Sequence, residues 1–482
     1  MRFGPIRRLM CTVALFWVAT GGFIPLAGAA SDDALVELLL RDSSIVQQDG
    51  WNIVHISGSP FQRGFQQGWY ASESAAAILY AYLDEPGSEY REKSRGIAKE
   101  IIWAMIPQEY QQQMEGIVYA LNKKGHLCDI WDIVALNNWA DQEVYEEVYN
   151  ELYAEQSPVL LAKASGADRC SAFIATGDAT VGGKIVMGHN TWSVYNEDFM
   201  YNYMFYVHPD QGHDYVVQTS GASIWSGQDW YMNDAGLMVT ETSLQGDASN
   251  PAGVPLFVRI VEAVQYTDTI DDFLEVLTKD SNGAYPNEWL IGDAKTGEIA
   301  TAQLGCEVCE VHRTFNGFYY SSNYPWGEAY RAEQGDSVPE PDPMHFGYAR
   351  RVRWSQLKEV HYGKIDLKTG MTMLSDHYDT YLDRNEPSAR TLCGHWEAEM
   401  TDPEFIGVAG GAYDGKVTNS DLALAGMGQW VRWGHPCGMK FDADAFLADN
   451  PDWAEDHGPI HVSYLRTFEK QSTGNPWTFI AK

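Results

Sequence analysis

The sequence pattern changes near residue 165, and this change restricts the possible folds more than any other feature. Between about residues 34 and 155, apolar side chains recur every three to four positions, which is the spacing of one helix face. Beyond that point, short runs of β-branched and aromatic residues alternate with glycine-containing turns, which indicates strands and hairpins. A helical region followed by strands with interleaved helices predicts an α+β fold.

The first two predicted strands form a hairpin. Residues 171–176 and 184–188 are short apolar runs, and Gly182-Gly183 supplies the turn between them. Further segments share these features or return to helical spacing. The strands are expected at 201–207, 215–219, 237–242, 299–304 and 318–322, and the helices at 258–266 and 269–277.

The N-terminus has the pattern of an export signal. Arg2, Arg7 and Arg8 precede a mostly apolar run over residues 10–24, and small residues follow up to Ala30. The run is short and glycine-interrupted for a membrane span of ~20 residues, although an anchoring helix is the alternative. We therefore expect residues 1–30 to be a signal peptide and the protein to be secreted or periplasmic.

The charge balance restricts the partners. The chain has 33 Lys and Arg against 66 Asp and Glu, a formal net charge of −33. A surface this negative repels phosphate backbones, so no nucleic-acid partner is expected. The pair Cys306-x-x-Cys309 with His312 lacks the second half of a zinc site at any usual spacing. No metal and no cofactor are therefore expected.

Cys170 is the candidate nucleophile. It stands beside Arg169 at the start of a predicted strand, and a nearby positive charge favours thiolate over thiol. The hairpin brings His189, at the end of the return strand, close to it. Packing or a disulfide are the alternatives for Cys170, and a backbone hydrogen bond is the alternative for His189.

Two stretches around this pair resemble known families. Cys170-Ser171-Ala172-Phe173-Ile174-Ala175 and Gly188-His189-Asn190-Thr191-Trp192 resemble N-terminal-nucleophile hydrolases of two groups. These groups are the phospholipase B-like (LAMA-like) family and the isopenicillin-N acyltransferase family of cysteine peptidases. Further matching segments follow the family order over roughly residues 50–440, at 58–68, 230–242, 322–325 and 414–418.

The resemblance implies a four-layer αββα sandwich and a precursor that cuts itself before Cys170. Residues 31–169 would become a separate, mainly helical chain, and residues 170–482 would form the αββα catalytic region. The two self-cleaved chains would stay associated. The family tail also carries a Cys-x-His like Cys393-Gly394-His395. Cys393 is accordingly interpreted as structural, with Cys437 as a candidate disulfide partner.

The resemblance also implies roles for individual residues. Cys170 matches the nucleophile, whose freed α-amine would be its base, and His189 matches a catalytic position at the end of the hairpin. Asn323 resembles an oxyanion-hole donor, with a turn cap as the alternative. Arg350, with Arg351 as the register alternative, resembles the arginine near the nucleophile, although both could be surface cations.

Two substrate-binding positions follow from the same resemblance. Trp192 matches a hairpin-end position and is expected to line the pocket. Thr242 matches a polar residue on the second strand, and Ser243 is the register alternative.

These residue types are chemically useful together. An unperturbed thiol has a pKa of ~8.5, whereas an α-amino group has one of ~7.7–8.0. Cleavage before Cys170 would create an amine that accepts the thiol proton and later donates it to a leaving group. A nearby arginine would favour thiolate over thiol.

The sequence is compatible with three functions. The first is a secreted self-processing hydrolase or acyltransferase that cleaves a linear amide in a small acylated substrate, through an acyl-Cys170 thioester. The second is a phospholipase B-like ester lipase, with a lipid substrate. The third is a non-enzymatic binding protein that holds its ligand with aromatic residues, which make up 13% of the chain.

Overall fold

The computed structural model describes residues 32–153 and 170–482. The predicted signal peptide, residues 1–30, and the residue directly before Cys170 lie outside the described residues. The chain divides into two units, and the helix α1 (Asp32–Leu39) belongs to the first, which ends at Leu39. All elements named below belong to the second unit, which runs from Leu40 to Lys482.

The helices of the second unit lie in two parts of the chain. The first part contains α2 (Pro60–Tyr70), α3 (Ser72–Leu83), α4 (Glu89–Ile97), α5 (Gln108–Lys124), α6 (Ile130–Asn137) and α7 (Gln142–Tyr153). The second part contains α8 (Tyr195–Asp198), α9 (Leu256–Tyr266), α10 (Ile270–Thr278), α11 (Glu328–Gln334), α12 (Phe346–His361), α13 (Leu367–Leu374), α14 (Ser420–Leu424), α15 (Ala443–Asp449) and α16 (Trp453–Ser472).

The strands are short and are distributed along the whole second unit. They are β1 (Ser44–Gln48), β2 (Trp51–Gly58), β3 (Ser171–Gly177), β4 (Gly183–Asn190), β5 (Trp192–Val194), β6 (Tyr203–Pro209), β7 (Tyr215–Gln218), β8 (Trp230–Asn233), β9 (Leu237–Ser243), β10 (Asn287–Asp293), β11 (Glu298–Leu304), β12 (Cys309–Thr314), β13 (Gly317–Ser321), β14 (Tyr378–Asp379), β15 (Arg384–Asn385), β16 (Gly410–Ala412), β17 (Asp414–Asn419), β18 (Gln429–Trp433) and β19 (Thr478–Ile480).

Two large sheets organise the fold. One has nine strands in the order β1-β2-β6-β7-β8-β9-β10-β11-β12, and the other has six in the order β13-β3-β4-β17-β18-β19. Neighbouring strands are antiparallel except β2 and β6, which run parallel with Asn52 opposite Tyr203. The pairs β14-β15 and β5-β16 form two small separate ribbons.

Apolar side chains join the two sheets and cover them. A Cβ on Gly292 of β10 would lie 3.0 Å from Ile174 of β3, so the sheets contact each other closely here. On its other side, β3 presents Phe173 to Trp354 of α12, at a ring-centroid distance of 5.6 Å. This packing of helices and antiparallel sheets confirms the predicted α+β class.

Most predicted elements are confirmed. Each predicted strand from 171–176 to 318–322, and both predicted helices at 258–266 and 269–277, begin and end within a residue or two of the observed bounds. The region before residue 155 is mainly helical, as predicted, but it also contributes β1 and β2 to the nine-stranded sheet. Of the helices in the described ranges, none combines the length and the apolarity needed to cross a membrane.

Candidate active site

The β3-β4 hairpin positions the first two candidate residues. Gly182 and Gly183 make the turn with positive φ values of 77° and 72°, which glycine adopts without steric cost. In the resulting register Ala172 pairs with His189. Cys170, directly before β3, therefore lies at the same end of the hairpin as His189.

Cys170, His189 and Asp229 form a buried cluster. Their sulfur, ring nitrogen and carboxylate oxygen all lie within 4.8 Å of one another, and Cys170 Sγ is 3.9 Å from Asp229 Oδ2. His189 Nε2 lies 3.0 Å from the carbonyl oxygen of Glu241, so Nε2 carries the hydrogen and donates it. His189 Nδ1 is buried and has no hydrogen-bond partner among the described residues. Its lone pair is therefore available to accept a proton.

Burial controls the charge states in this cluster. Burial, with a further contribution from the positive charge of Lys416, lowers the pKa of His189 well below its usual value, so the ring is neutral at neutral pH. Burial also raises the pKa of Asp229 to about 7. The ammonium group of Lys416 is itself bound by Thr191 Oγ1 at 2.6 Å and by Asp414 Oδ2 at 3.0 Å.

Asn323 holds the backbone nitrogen of Cys170. The Cys170 N–H donates to Asn323 Oδ1 at 2.9 Å, and Arg350 Nη2 donates to the same oxygen at 2.8 Å. Asn323 Nδ2 donates to the carbonyl oxygen of Ser243 at 2.7 Å. The sequence predicted Asn323 as an oxyanion-hole donor, and the structure does bring it to Cys170. In the observed orientation, however, its oxygen accepts from the Cys170 N–H and its own N–H groups contact Ser243.

Arg350 also contacts Cys170, at its carbonyl oxygen. Its guanidinium group donates to the Cys170 carbonyl oxygen at 2.5 Å and to Ser171 Oγ at 2.9 Å. It also lies over the indole ring of Trp192, 4.2 Å from the centroid. Arg351 instead lies over the ring of Tyr320, at 5.2 Å. The structure therefore places Arg350 beside Cys170, buried and not at the surface.

The two predicted substrate-binding residues have different surroundings. Trp192 is fully buried beneath Arg350. Thr242 Oγ1 lies 2.5 Å from Ser321 Oγ, which donates to Glu288 at 2.7 Å. Of the two register alternatives, Ser243 is the one that contacts Asn323.

Sequence reasoning missed Asp229 and Lys416. Both lie in or beside segments that carried the family resemblance, since Asp229 precedes the segment 230–242 and Lys416 lies within 414–418. The signal available in the sequence was the spacing of Asp414 and Lys416, which at i and i+2 share one face if the segment is a strand. Lysine is almost never fully buried unless it is paired, as it is here with Asp414.

The cluster has the spacing of metal ligands, but its charges oppose a cation. The buried ammonium of Lys416 interacts electrostatically with both Cys170 and Asp229, and a second positive charge there would be repelled. Cys306, Cys309 and His312 do not come together as a metal-binding group in the part of the chain that the structure describes.

Cys393 and Cys437, the candidate disulfide partners, are both free cysteines in the structure. Their sulfur atoms lie 3.5 and 3.6 Å from Nε2 of His395. The sulfurs therefore face a common histidine nitrogen, which is a different arrangement from a sulfur–sulfur bond.

The fold and site define an α+β protein with a buried cysteine–histidine–aspartate cluster at the start of a strand. The sequence model of the phospholipase B family matches residues 64–312, more than half of the chain. The chain therefore belongs to the phospholipase B family. The matched range includes Cys170, His189 and Asp229 and ends before Asn323.

The chain is similar to two curated proteins over about 300 residues each. Phospholipase B-like protein C of Dictyostelium discoideum is 29% identical over 302 residues, covering 52% of this chain and 50% of the relative. An uncharacterized protein of Archaeoglobus fulgidus is 22% identical over 300 residues, covering 58% of this chain and 47% of the relative. The matches thus span about half of the length of each relative.

Proposed function

We propose that the chain is a self-processing acyl hydrolase in which Cys170 is the nucleophile. One observation carries the proposal: the Cys170 N–H is held 2.9 Å from Asn323 Oδ1 while its sulfur lies beside His189 and Asp229. Nitrogen and sulfur of one residue are thus both positioned by other side chains. This is what a nucleophile with its own α-amine as base requires.

Self-cleavage must begin without an α-amine, because the Cys170 nitrogen is still part of a peptide bond. His189 Nδ1, with its available lone pair, accepts the thiol proton. The sulfur attacks the carbonyl carbon of residue 169, the C–N bond breaks, and the proton passes to the leaving nitrogen of Cys170. Water then hydrolyses the thioester, which gives a new carboxylate, the free thiol and a free α-amine.

Turnover then uses the liberated amine. Asn323 Oδ1, which accepts the backbone N–H in the uncut chain, holds the amine in place. The amine takes the Cys170 proton, the sulfur attacks the acyl carbonyl of the substrate, and the amine protonates the leaving group. Water hydrolyses the acyl-enzyme. Arg350, beside the Cys170 carbonyl, favours the thiolate.

Family membership supports a hydrolase, and we propose the acyl ester of a phospholipid as the substrate. Cleavage of a linear amide is the second candidate, and Asp229 is the observation that favours it. An amine must be protonated to leave, and burial raises the pKa of Asp229 to about 7, so this group carries a proton for part of the time near neutral pH.

The proposal includes the maturation of the chain. Residues 1–30 would be removed on export, and the mainly helical residues 31–169 would remain associated with the αββα catalytic region, residues 170–482. The parallel pairing of β2 with β6 supports this association, because it joins strands from the two sides of the cleavage point in one sheet.

N-terminal sequencing of active protein tests the proposal. We expect two chains, one of which begins Cys-Ser-Ala-Phe, and we expect Cys170→Ala to give an uncut and inactive precursor. Cys128→Ala, which removes a cysteine from outside the cluster, should be cut and active. Full activity in a single uncut chain would refute self-processing.

A substrate comparison separates the two candidates. The cut enzyme is assayed on a diacyl phospholipid and on an N-acyl amide with the same acyl chain. A higher kcat/KM for the phospholipid supports the ester reading, and a higher value for the amide supports the second. If the enzyme hydrolyses neither substrate but binds a ligand tightly, and Cys170→Ala binds that ligand equally well, a binding protein would be favoured.

A further inference from the structure

A second cluster of metal-ligating side chains lies outside the candidate active site. It consists of His377, Cys393, His395 and Cys437, whose ligand atoms all lie within 4.8 Å of one another. Cys393 and His395 are buried, and His377 and Cys437 are partly exposed. The four residues come from three separate loops, so no local sequence spacing predicts the cluster.

The distances within this cluster match tetrahedral coordination. His377 Nε2 and His395 Nε2 are 3.2 Å apart, and the sulfurs of Cys393 and Cys437 lie 3.5 and 3.6 Å from His395 Nε2. A tetrahedral zinc ion with bonds of about 2.3 Å to sulfur and about 2.0–2.1 Å to nitrogen separates two nitrogens by about 3.3–3.4 Å and a nitrogen from a sulfur by about 3.5–3.6 Å.

Hydrogen bonds also connect these four residues, because the Cys437 side chain bonds Cys393, His377 and His395. Nδ1 of His395 lies 2.9 Å from Glu397 Oε1, so it carries the hydrogen and donates it to the carboxylate. Nε2 then has one lone pair, which three ligand atoms approach at once. One cation at the centre of the four ligand atoms would bind all of them at once, each through a lone pair.

The surroundings are those of a metal site. Glu397 orients His395 through Nδ1, as carboxylates do for zinc-bound histidines, and lies 3.3 Å from Nε2 of His435. The Met439 N–H donates to the Cys437 sulfur at 3.3 Å, which stabilises a thiolate. Two thiolates and two neutral imidazoles balance the charge of a divalent cation.

We propose that His377, Cys393, His395 and Cys437 bind one zinc ion in a closed, structural site. Four protein ligands leave no open position for a substrate or water. The ion links the loop after α13, the loop that carries Cys393 and His395, and the turn after β18. This departs from the expectation, drawn from the sequence, of no metal and a Cys393–Cys437 disulfide.

The site also supports the candidate active site. A Cβ on Gly394, between two of the ligands, would lie 2.4 Å from the indole of Trp192, so this backbone packs directly on the ring. Trp192 in turn lies beneath Arg350. Zinc fixes the loop on which Trp192 rests, and it takes no part in the reaction at Cys170.

Metal analysis of the purified full chain tests the proposal. After reduction, incubation with zinc and removal of excess metal, we expect about one zinc ion per chain. Cobalt in its place should give the visible absorption of a tetrahedral site with sulfur ligands. The double variant Cys393→Ser/Cys437→Ser should lose both signals. The matched double variant Cys306→Ser/Cys309→Ser, and Cys170→Ala, should keep them.

A milder variant covers the case in which the ligand variants fail to fold. Glu397→Gln keeps all four ligands but weakens the orientation of His395, so zinc affinity should fall roughly 10–100-fold. Absence of bound zinc in the reduced wild-type chain would overturn the proposal. So would a Cys393–Cys437 disulfide in protein isolated without reductant, or zinc retained by the Cys393→Ser/Cys437→Ser variant.

Discussion

Two of the residues that contact Cys170 have unusual backbone conformations. Asp229 and Asn323 have φ values of 56° and 59°, a left-handed region that is unfavourable for most residues with a side chain and that Asn and Asp tolerate best. Both are buried. Strain of this kind persists where the surrounding structure holds it, and it is concentrated at functional sites. The conformations themselves thus point to the same cluster as the distances.

The ionisation of Asp229 should control the rate of self-cleavage. Its carboxylate lies 3.9 Å from the Cys170 sulfur, and its pKa is raised to about 7. Ionised Asp229 would stabilise the positive charge that His189 gains when it accepts the thiol proton, so the rate of cutting should rise with pH through about 7. In Asp229→Asn this rise should disappear and the rate should fall roughly 10²–10⁴-fold.

Gel analysis of freshly folded precursor at a series of pH values measures this rate. Asp234→Asn, in the exposed turn between β8 and β9, is the control and should cut like the wild type. An unchanged pH profile in Asp229→Asn would show that this carboxylate has no part in the step.

The sequence revealed part of this site. The Gly182-Gly183 turn sufficed to bring Cys170 and His189 together, because a hairpin register is a local property. Asn323 and Arg350 are more than 150 residues further along the chain than Cys170, and only the family resemblance pointed to them. Which amide atom of Asn323 faces Cys170 depends on Ser243 and Arg350 together, and no sequence pattern encodes that.

At the scale of elements, close helix packing stabilises the N-terminal part. A Cβ on Gly64 of α2 would lie 1.8 Å from the carbonyl oxygen of Gln113 in α5, and one on Gly116 would lie 2.1 Å from that of Phe61. The two backbones are thus in direct contact on both sides of the crossing. Any side chain there must push the helices apart.

Gly64→Ala and Gly116→Ala should each lower the free energy of unfolding by about 1–3 kcal/mol, which is typical of overpacking. Gly227→Ala is the control, because its Cβ would have no neighbour closer than 3.8 Å. Denaturant unfolding of the three variants measures the effect. If all three variants had the same free energy of unfolding, the helices would be able to move apart without loss of stability, and the prediction would be wrong.

Strands β1 and β2 were not predicted from the sequence. Residues 51–58 contain polar side chains such as Asn52 and His55 among apolar ones, which weakens the pattern of a buried strand. β2 pairs with β6, about 150 residues away, and β1 pairs with β2 at the edge of the sheet. Tertiary contacts of this range outweigh local propensity.

At the scale of the whole molecule, several buried carboxyl groups resist ionisation. Burial raises the pKa of Asp141 and Asp198 to about 6 and that of Glu197 and Asp229 to about 7. A group whose pKa is raised on folding stabilises the native state at low pH. This stabilisation is lost as the pH rises through the raised pKa. The large negative charge of the chain acts in the same direction.

These four groups should therefore lower the free energy of unfolding as the pH rises from about 4 to about 7. Asp141 alone accounts for about 3 kcal/mol of this loss, most of it between about pH 4 and pH 6, because burial raises its pKa to about 6. Asp141→Asn should make the decline shallower, and the exposed Asp336→Asn should leave it unchanged. Denaturant unfolding across this pH range measures it, and greater stability at the alkaline end would contradict the prediction.

The parallel pairing of β2 with β6 has a consequence for the order of maturation. A polypeptide synthesised from Cys170 onward would leave the edge of β6 without its neighbour, exposing backbone groups that recruit strands from other molecules. The segment ahead of Cys170 would thus assist assembly during biosynthesis. If the chain cuts itself as proposed, folding has to precede the cut, so recombinant production should start from the uncut gene product.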